Sequence, residues 1–467
     1  MGNDKSHKVL TCFVLFRDTY FELSYTVCIK MGSLVKEIVV KKYSLLVALF
    51  LWPSLVSPAN SIADWTILVC METMNSIALW GVENINAMAT AEPQANINII
   101  VQWHGVQDHI TQYQITHNNI RLISTLRRGG SAVYDILDGM RFVVTEFPAK
   151  HYGLIVGCHG FGILEPHFTE SEEETFSWAA DQDEPVTQCH SGVCPLKSIF
   201  TVANTPENQP TRALFFNDDS KTFITNQDLI TLFSTIHYDF LQGNKLDFFG
   251  TDCCKMAMIE VGYQIKDHVN YFIGAQNCEL PDGWNFKDFF NSITPEQSAR
   301  DVVQSIIHTY DQYYQSHTYK GLYTQSACDL NIVSDLSANI SVLADLFCKK
   351  IEAHDQKFIV ALRASRANSL QICNAPFYTD IDSFLGALLN EIELFDDPDS
   401  KLISVYARSA RDWIQEAVVA NSTGFAMSAA KGISIYFPLH HVDHSYPQVL
   451  FAQETSWLRF LNLFVNT

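Results

Sequence analysis

Apolar positions along the chain fall into two alternating rhythms. Short, nearly continuous apolar runs stand at Trp65–Met71 (WTILVCM), Ile97–Trp103 (INIIVQW), Tyr152–Cys158 (YGLIVGC), Leu246–Thr251 (LDFFGT) and Tyr271–Gln276 (YFIGAQ). Runs of this length predict strands buried on both faces. Between them, helical spacing predicts helices over Ile77–Met88 and Ser131–Phe147, the second with Ser131 as its cap. Thr225-Asn226-Gln227-Asp228 reads as a capping box that opens a helix. Thr294-Pro295-Glu296-Gln297 reads as the start of a long one, with proline in the first turn. Strands alternating with helices imply parallel strands joined by crossover helices, an α/β fold. Farther on, Leu322–Leu330 predicts a strand, 331–418 is mainly helical, and Gly432–Pro438 predicts a strand that Pro438 ends.

In open parallel sheets, sites form at the carboxyl ends of the strands. Two segments with chemistry stand at such ends. His159-Gly160-Phe161-Gly162 follows the Tyr152 strand, and Asp252-Cys253-Cys254 follows the Leu246 strand. Met256, Ile259 and Tyr263 recur at helical spacing, which predicts a helix beginning near the cysteines. A cysteine at a positive helix end, among free N–H groups, is biased toward the nucleophilic thiolate. His159 and Cys254 lie 254 − 159 = 95 positions apart. An imidazole base and a thiol nucleophile need closeness in space, not a fixed spacing. Gly160 has no Cβ to keep its N–H from an oxyanion, and the N–H of Cys254 supplies a second donor. A plainer reading stands beside this one: a buried cysteine acting as a small hydrophobe, a structural histidine, and Asp252 as an N-cap. The loop Asn277–Phe286 (NCELPDGWNF) carries Trp284, which either walls a substrate pocket or packs under a surface turn. The irregular stretch Gly162–Arg212 is rich in acid (Glu170, Glu172, Glu173, Glu174, Asp181, Asp183, Glu184), as a functional loop or a solvated one.

Composition narrows the field. The 467-residue chain is 47% hydrophobic with a formal net charge of −20 and no long Lys/Arg run, which argues against a nucleic-acid surface. Twelve cysteines are too sparse for a disulfide scaffold, and no C-x-x-C pair occurs. Cys189 and Cys194 flank His190 in a polar loop, as a disulfide, as thiols, or as part of a zinc set lacking two evident ligands. Residues 43–57 form an apolar block preceded by Lys36, Lys41 and Lys42 and followed by Ser57, Ala59, Ser61 and Ala63. As a helix it would span roughly 22 Å, short of a hydrocarbon core of about 30 Å. This is the layout of a secretory signal cleaved near Ala59–Ala63, of ordinary length if translation starts at Met31; the alternative is an uncleaved anchor. The expected location is secreted, or periplasmic or in the cell envelope, with no stable membrane span once the signal is removed. No G-x-S-x-G, H-E-x-x-H or phosphate-loop pattern occurs, which leaves other hydrolase classes without support.

Six blocks, in order, carry a resemblance: DWTILV at 64–69, ENINAM at 83–88, AKHYGLIVGCHGFG at 149–162, LDFFGTDCCKM at 246–256, PDGW at 281–284 and GISIYFP at 432–438. Through them the chain resembles the clostripain family of cysteine peptidases, whose fold is caspase-like. The resemblance implies an α/β/α sandwich with a mostly parallel central sheet and a mainly helical C-terminal extension. It divides the chain into a leader at 1–63, a catalytic core at 64–290 and a C-terminal region at 291–467 that completes and covers the core. It implies His159 as base, Cys254 as nucleophile, and the N–H groups of Gly160 and Cys254 as oxyanion hole. It places Asp252 in the S1 pocket, where a carboxylate selects Arg or Lys before the scissile bond. The implied protein is a secreted cysteine endopeptidase acting on polypeptides through an acyl-enzyme. It needs no cofactor, although calcium is known in the family and the acidic loop could hold it. Some members are zymogens that cleave themselves, for which Lys197, Arg212 and Lys221 are the candidate positions. Three departures stand out. Cys253 replaces an alanine and remains an alternative nucleophile, Lys255 replaces a larger hydrophobic, and Cys158 stands where an acid is frequent. They motivate a second reading, a catalytically inactive caspase-like binding protein.

Overall fold

The computed structural model describes residues 10–16, 19–25, 62–73, 77–105, 109–127, 130–166, 214, 222–280, 282–317, 321–372 and 375–467. The chain divides into two units, Met1–Ala59 and Asn60–Thr467. In the first, β1 (Leu10–Phe16) and β2 (Thr19–Tyr25) pair as an antiparallel hairpin within the expected leader. The apolar block 43–57 lies outside the described residues.

The second unit is built on a nine-stranded sheet. In chain order its strands are β3 (Ala63–Glu72), β4 (Ile97–His104), β5 (His109–Thr116), β6 (Asn119–Arg127), β7 (Ala149–Gly157), β8 (Leu246–Asp252), β9 (Val269–Gly274), β10 (Thr324–Asp329) and β13 (Val418–Thr423), the last numbered after a small sheet described below. Across the sheet the order is β13-β10-β9-β8-β7-β3-β4-β5-β6. The central five, β9-β8-β7-β3-β4, are parallel, and both flanks are antiparallel. Side chains alternate between two apolar layers, as strand geometry demands. Trp65, Ile67, Val69 and Met71 enter one layer with α1 (Ala78–Met88), α5 (Phe286–Ser292) and α6 (Ala299–Gln315). Leu68, Cys70, Leu154, Val156 and Phe249 enter the other with α2 (Ala132–Glu146), α3 (Asn226–Thr235), α4 (Ile259–Ile265) and α7 (Leu330–Glu352). The result is the expected α/β/α sandwich.

The C-terminal region adds α8 (Gln356–Asn368), α9 (Ile381–Glu391), α10 (Pro398–Ala417), α11 (Leu450–Glu454), α12 (Trp457–Phe464) and a small antiparallel sheet of β11 (Gln371–Ile372), β12 (Ala375–Asp380) and β14 (Ser434–Tyr436). It also lends β10 and β13 to the main sheet. The 23-residue α7 is long and apolar enough to cross a membrane. Leu336, Ile340, Leu343 and Phe347 along it are buried in the protein's own core.

Local chemistry explains where the sequence reading holds and where it shifts. Thr225 caps α3 with a full capping box to Asp228, as expected. Ser131 occupies the N-cap of α2 in an extended conformation but makes no side-chain cap bond among the described residues. The long helix α6 starts later than expected. Gln297 Oε1 accepts the Thr294 N–H at 2.8 Å, closing a turn, and the capping box belongs to Ser298 and Asp301. The β5–β6 hairpin is absent from the sequence reading. A bulge between Gln112 and Tyr113 breaks its alternation, putting Ile110 and Ile115 out of phase by one, and β6 is largely exposed.

Candidate active site

The parallel pair β7 and β8 runs in register with Gly157 opposite Asp252, so residues 158–160 and 253–255 leave the sheet side by side. Their loops are in contact. A Cβ on Gly160 would stand 2.7 Å from the Cys254 carbonyl oxygen and 2.9 Å from Cys253 Cβ, so only glycine fits without displacing backbone. His159 is buried at this junction. Thus the His-Gly segment and the cysteine segment, 95 residues apart in sequence (254 − 159), meet at one carboxyl rim.

The expected helix at the cysteines is displaced. Residues 253–255 form a turn, and α4 begins only at Ile259. Lys255 takes a left-handed φ of 62°, and Met258 is held extended by a bridge to Ser434, so the chain cannot wind before that point. Cys254 therefore gains nothing from a helix end. Nor is Asp252 an N-cap; it is the last residue of β8.

The two adjacent sulfurs part ways. Cys253 Sγ lies 3.1 Å from Cys158 Sγ and 3.6 Å from the Val156 carbonyl, in the apolar layer of α2 and α4. Cys254 Sγ accepts the Glu279 N–H at 3.3 Å and hydrogen-bonds with Cys278. Lys255 is buried, with Nζ 4.8 Å from the Phe161 ring centroid, and bonds to Cys278. The bond from the Cys254 thiol pulls Cys278 down to about 5, and the Lys255 charge adds to the pull. The same sulfur–sulfur bond, followed by burial, holds the proton on Cys254, while Lys255 favours the thiolate there too. The ammonium thus favours a thiolate on either sulfur of the pair, the setting in which a cysteine becomes reactive.

Next to the Cys254–Glu279 contact lie two buried acids. Asp252 Oδ2 accepts the Trp284 N–H at 3.0 Å, and Glu279 Oε1 accepts the Tyr310 hydroxyl at 2.5 Å. Asp252 Oδ1 and Glu279 Oε2 meet no hydrogen-bond partner among the described residues. Burial pushes Asp252 up to about 7 and, with the Asp252 charge, raises Glu279 well above the ordinary range. Gly283 takes a positive φ of 66°, and a Cβ there would strike Trp80 Nε1 at 2.6 Å and Asp252 Oδ2 at 2.8 Å. The loop thus closes tightly over Asp252. Trp284 serves through its main chain, while its ring packs into the core against Gly250 and Phe286.

Glu279, Cys278 and Tyr310 are absent from the sequence reading of this site. The one available signal was a cysteine and an acid side by side in the turn-rich 277–286 loop. Lys197, Arg212, Lys221, Cys189, Cys194 and the acids from Glu170 to Glu184 lie outside the described residues. Among the described residues no group of three or more His, Cys, Asp or Glu side chains is arranged to hold a metal ion.

Comparison with known proteins adds the family. A profile described as the clostripain family matches residues 202–460, more than half of the chain. The match includes the cysteine block and begins beyond His159. No curated protein sequence matches the chain. Among solved structures, a secreted cysteine protease from Bacteroides thetaiotaomicron, in complex with an irreversible peptide inhibitor, superposes with a TM-score of 0.56 at 14% identity, covering 86% of this chain and 99% of that one. An inactive zymogen protease from Parabacteroides distasonis gives 0.54 at 18% identity, with the same coverage. At these identities the likeness establishes the fold.

Proposed function

The chain belongs to the clostripain family and is a cysteine peptidase, and from that premise we propose that it cleaves polypeptides after Arg or Lys with Cys254 and His159. The observation that carries the proposal is the packing of Gly160 onto the Cys254 carbonyl, which sets the two segments on one rim. In the proposed reaction His159 takes the proton from the Cys254 thiol, and the resulting thiolate attacks the carbonyl carbon of the scissile bond. The N–H groups of Gly160 and Cys254 receive the developing oxyanion. His159 protonates the leaving amine and then activates the water that frees the acyl-enzyme.

The buried acid pair supports a basic substrate. A guanidinium carries five N–H donors, and two buried carboxylate oxygens without partners among the described residues offer it charge-assisted bonds. Arrival of the cation would draw both carboxyls back toward the ionised form. Export is supported by the signal-like block at 43–57 and by neighbours described as secreted. Activation by cleavage at Lys197, Arg212 or Lys221 is supported by the neighbour described as a zymogen.

A fluorogenic peptide amide ending in Arg or Lys tests the reading. Wild type should release the fluorophore, Cys254→Ala should lose roughly a thousandfold or more, and Cys253→Ala should stay active. Cleavage that survives Cys254→Ala would falsify the assignment. A preference for neutral or acidic residues would remove the S1 role of Asp252.

A further inference from the structure

Two of the three positions that set this chain apart from its family blocks, 158 and 253, are occupied by cysteines that touch. Cys158 follows β7 and Cys253 follows β8, one step past the Gly157–Asp252 register pair, and the Cys158 N–H donates to the Asp252 carbonyl at 3.4 Å. Neighbouring strands hold in-register Cα atoms at about 5 Å, inside the range a disulfide spans. The sulfurs stand 3.1 Å apart, so closing them to a bond of about 2.05 Å takes roughly 1 Å of movement, within reach of small side-chain rotations. We infer that Cys158 and Cys253 form a disulfide that staples the carboxyl ends of β7 and β8 directly beneath His159 and Cys254.

Other uses of this pair fit the surroundings poorly. Cys253 faces the apolar layer beside the carbonyl of Val156 and near Asp252, and burial pushes its thiol well above the ordinary range. That environment suits neither a nucleophile nor a metal ligand, and it shields a formed disulfide from reductants. The bridge closes a loop of 253 − 158 = 95 residues, the span over which cross-linking restricts the unfolded chain strongly.

Formation needs an oxidant and precedes burial: while the chain folds, a small-molecule disulfide such as oxidised glutathione supplies it. One cysteine loses its proton and attacks a reagent sulfur, expelling the first thiol. The second loses its proton and attacks the mixed disulfide, expelling the other. The protein gives up two protons and two electrons, and the reagent is reduced to two thiols. The expected setting, an oxidising compartment, rests on the proposed export; the pairing itself does not depend on peptidase activity.

The test is peptide mapping of the full-length protein prepared in a buffer of reduced and oxidised glutathione, alkylated in denaturant without reduction. A cross-linked pair containing Cys158 and Cys253 is expected, two hydrogen atoms lighter than the separate peptides, with Cys254 recovered alkylated. The pair should vanish in Cys253→Ala and, as a second variant, in Cys158→Ala. Full alkylation of both cysteines, or a bridge from Cys253 to Cys254 or Cys278, overturns the inference. Activity is read separately. A bridged protein that cleaves nothing keeps this inference and loses the peptidase mechanism, and an active protein without the bridge does the reverse.

Discussion

Asp252 and Glu279 are buried within electrostatic reach of each other, each with one carboxylate oxygen bonded and the other without a partner among the described residues. Burial pushes both carboxyls upward, and the charge of Asp252 raises Glu279 further. A cationic side chain reverses that balance. Asp252→Asn and Glu279→Gln should each lower kcat/KM for Arg and Lys substrates by roughly 10- to 100-fold, a loss of about 1–3 kcal/mol per charge-assisted bond. Cleavage after neutral residues should be spared. Paired assays on basic and neutral peptide amides check this, and an equal loss on both would assign the acids to structure alone.

The same buried acids shape stability against pH. Burial pushes Asp252 and Glu260 up to about 7 and Asp380 up to about 6. These folded-state values lie above those of the unfolded chain. Between about pH 4 and pH 7 the folded protein therefore keeps protons that the unfolded chain has released, and stability falls as pH rises through that window. A carboxyl that holds its proton one pH unit higher in the folded chain than in the unfolded one accounts for about 1.4 kcal/mol, so the total decline is of order several kcal/mol. Thermal melts from about pH 4.5 to about pH 8 should show Tm descending and then levelling. Glu260→Gln keeps the hydrogen-bond acceptor for Tyr436 N–H and should flatten the descent. A wild-type Tm that climbs across this range would contradict the account.

Gly160 meets the Cys254 carbonyl, a backbone atom that cannot rotate away. Its own φ is not in the left-handed region, so space is the whole of the problem. Gly160→Ala should cost roughly 1–3 kcal/mol through overpacking and should push the His159 loop off the cysteine turn. The expected signature is a lost kcat larger than the fall in Tm explains, since about 1 Å of misplacement is enough to cost roughly a hundredfold. Full activity in this variant would show that the two loops need not touch for catalysis.

The central parallel strands were legible because each is a continuous apolar run, and the His-Gly and Cys-Cys segments because both follow such runs. The β5–β6 hairpin was not, because its bulge breaks the period-two pattern that reveals strands. The helix expected at Cys254 failed for a different reason. Met256, Ile259 and Tyr263 do share an apolar face, but Lys255 turns left-handed and Met258 is held by Ser434 of β14, a partner 176 residues away (434 − 258). Glu279 was hidden because an acid in a polar turn reads as solvated. Only the fold shows the loop tucked under the rim, with Tyr310 of α6 reaching Glu279.

Lys255 is the residue whose role changes most once the turn is known. With no helix end at Cys254, the positive charge beside the Cys254–Cys278 pair is this ammonium, held over Phe161 and bonded to Cys278. It favours the thiolate on both sulfurs. Lys255→Met keeps an unbranched chain able to occupy the same channel and removes the charge. The pH midpoint for alkylation by iodoacetamide at Cys254 and Cys278 should then rise by about 1 pH unit or more, and peptide cleavage near neutral pH should fall with it. Tm should hold or increase, because a buried cation gives way to an apolar chain. Lys255→Arg keeps the charge and should restore much of the low midpoint. A midpoint that stays put in Lys255→Met while cleavage falls would mean that Lys255 acts through packing on Phe161 and not through its charge.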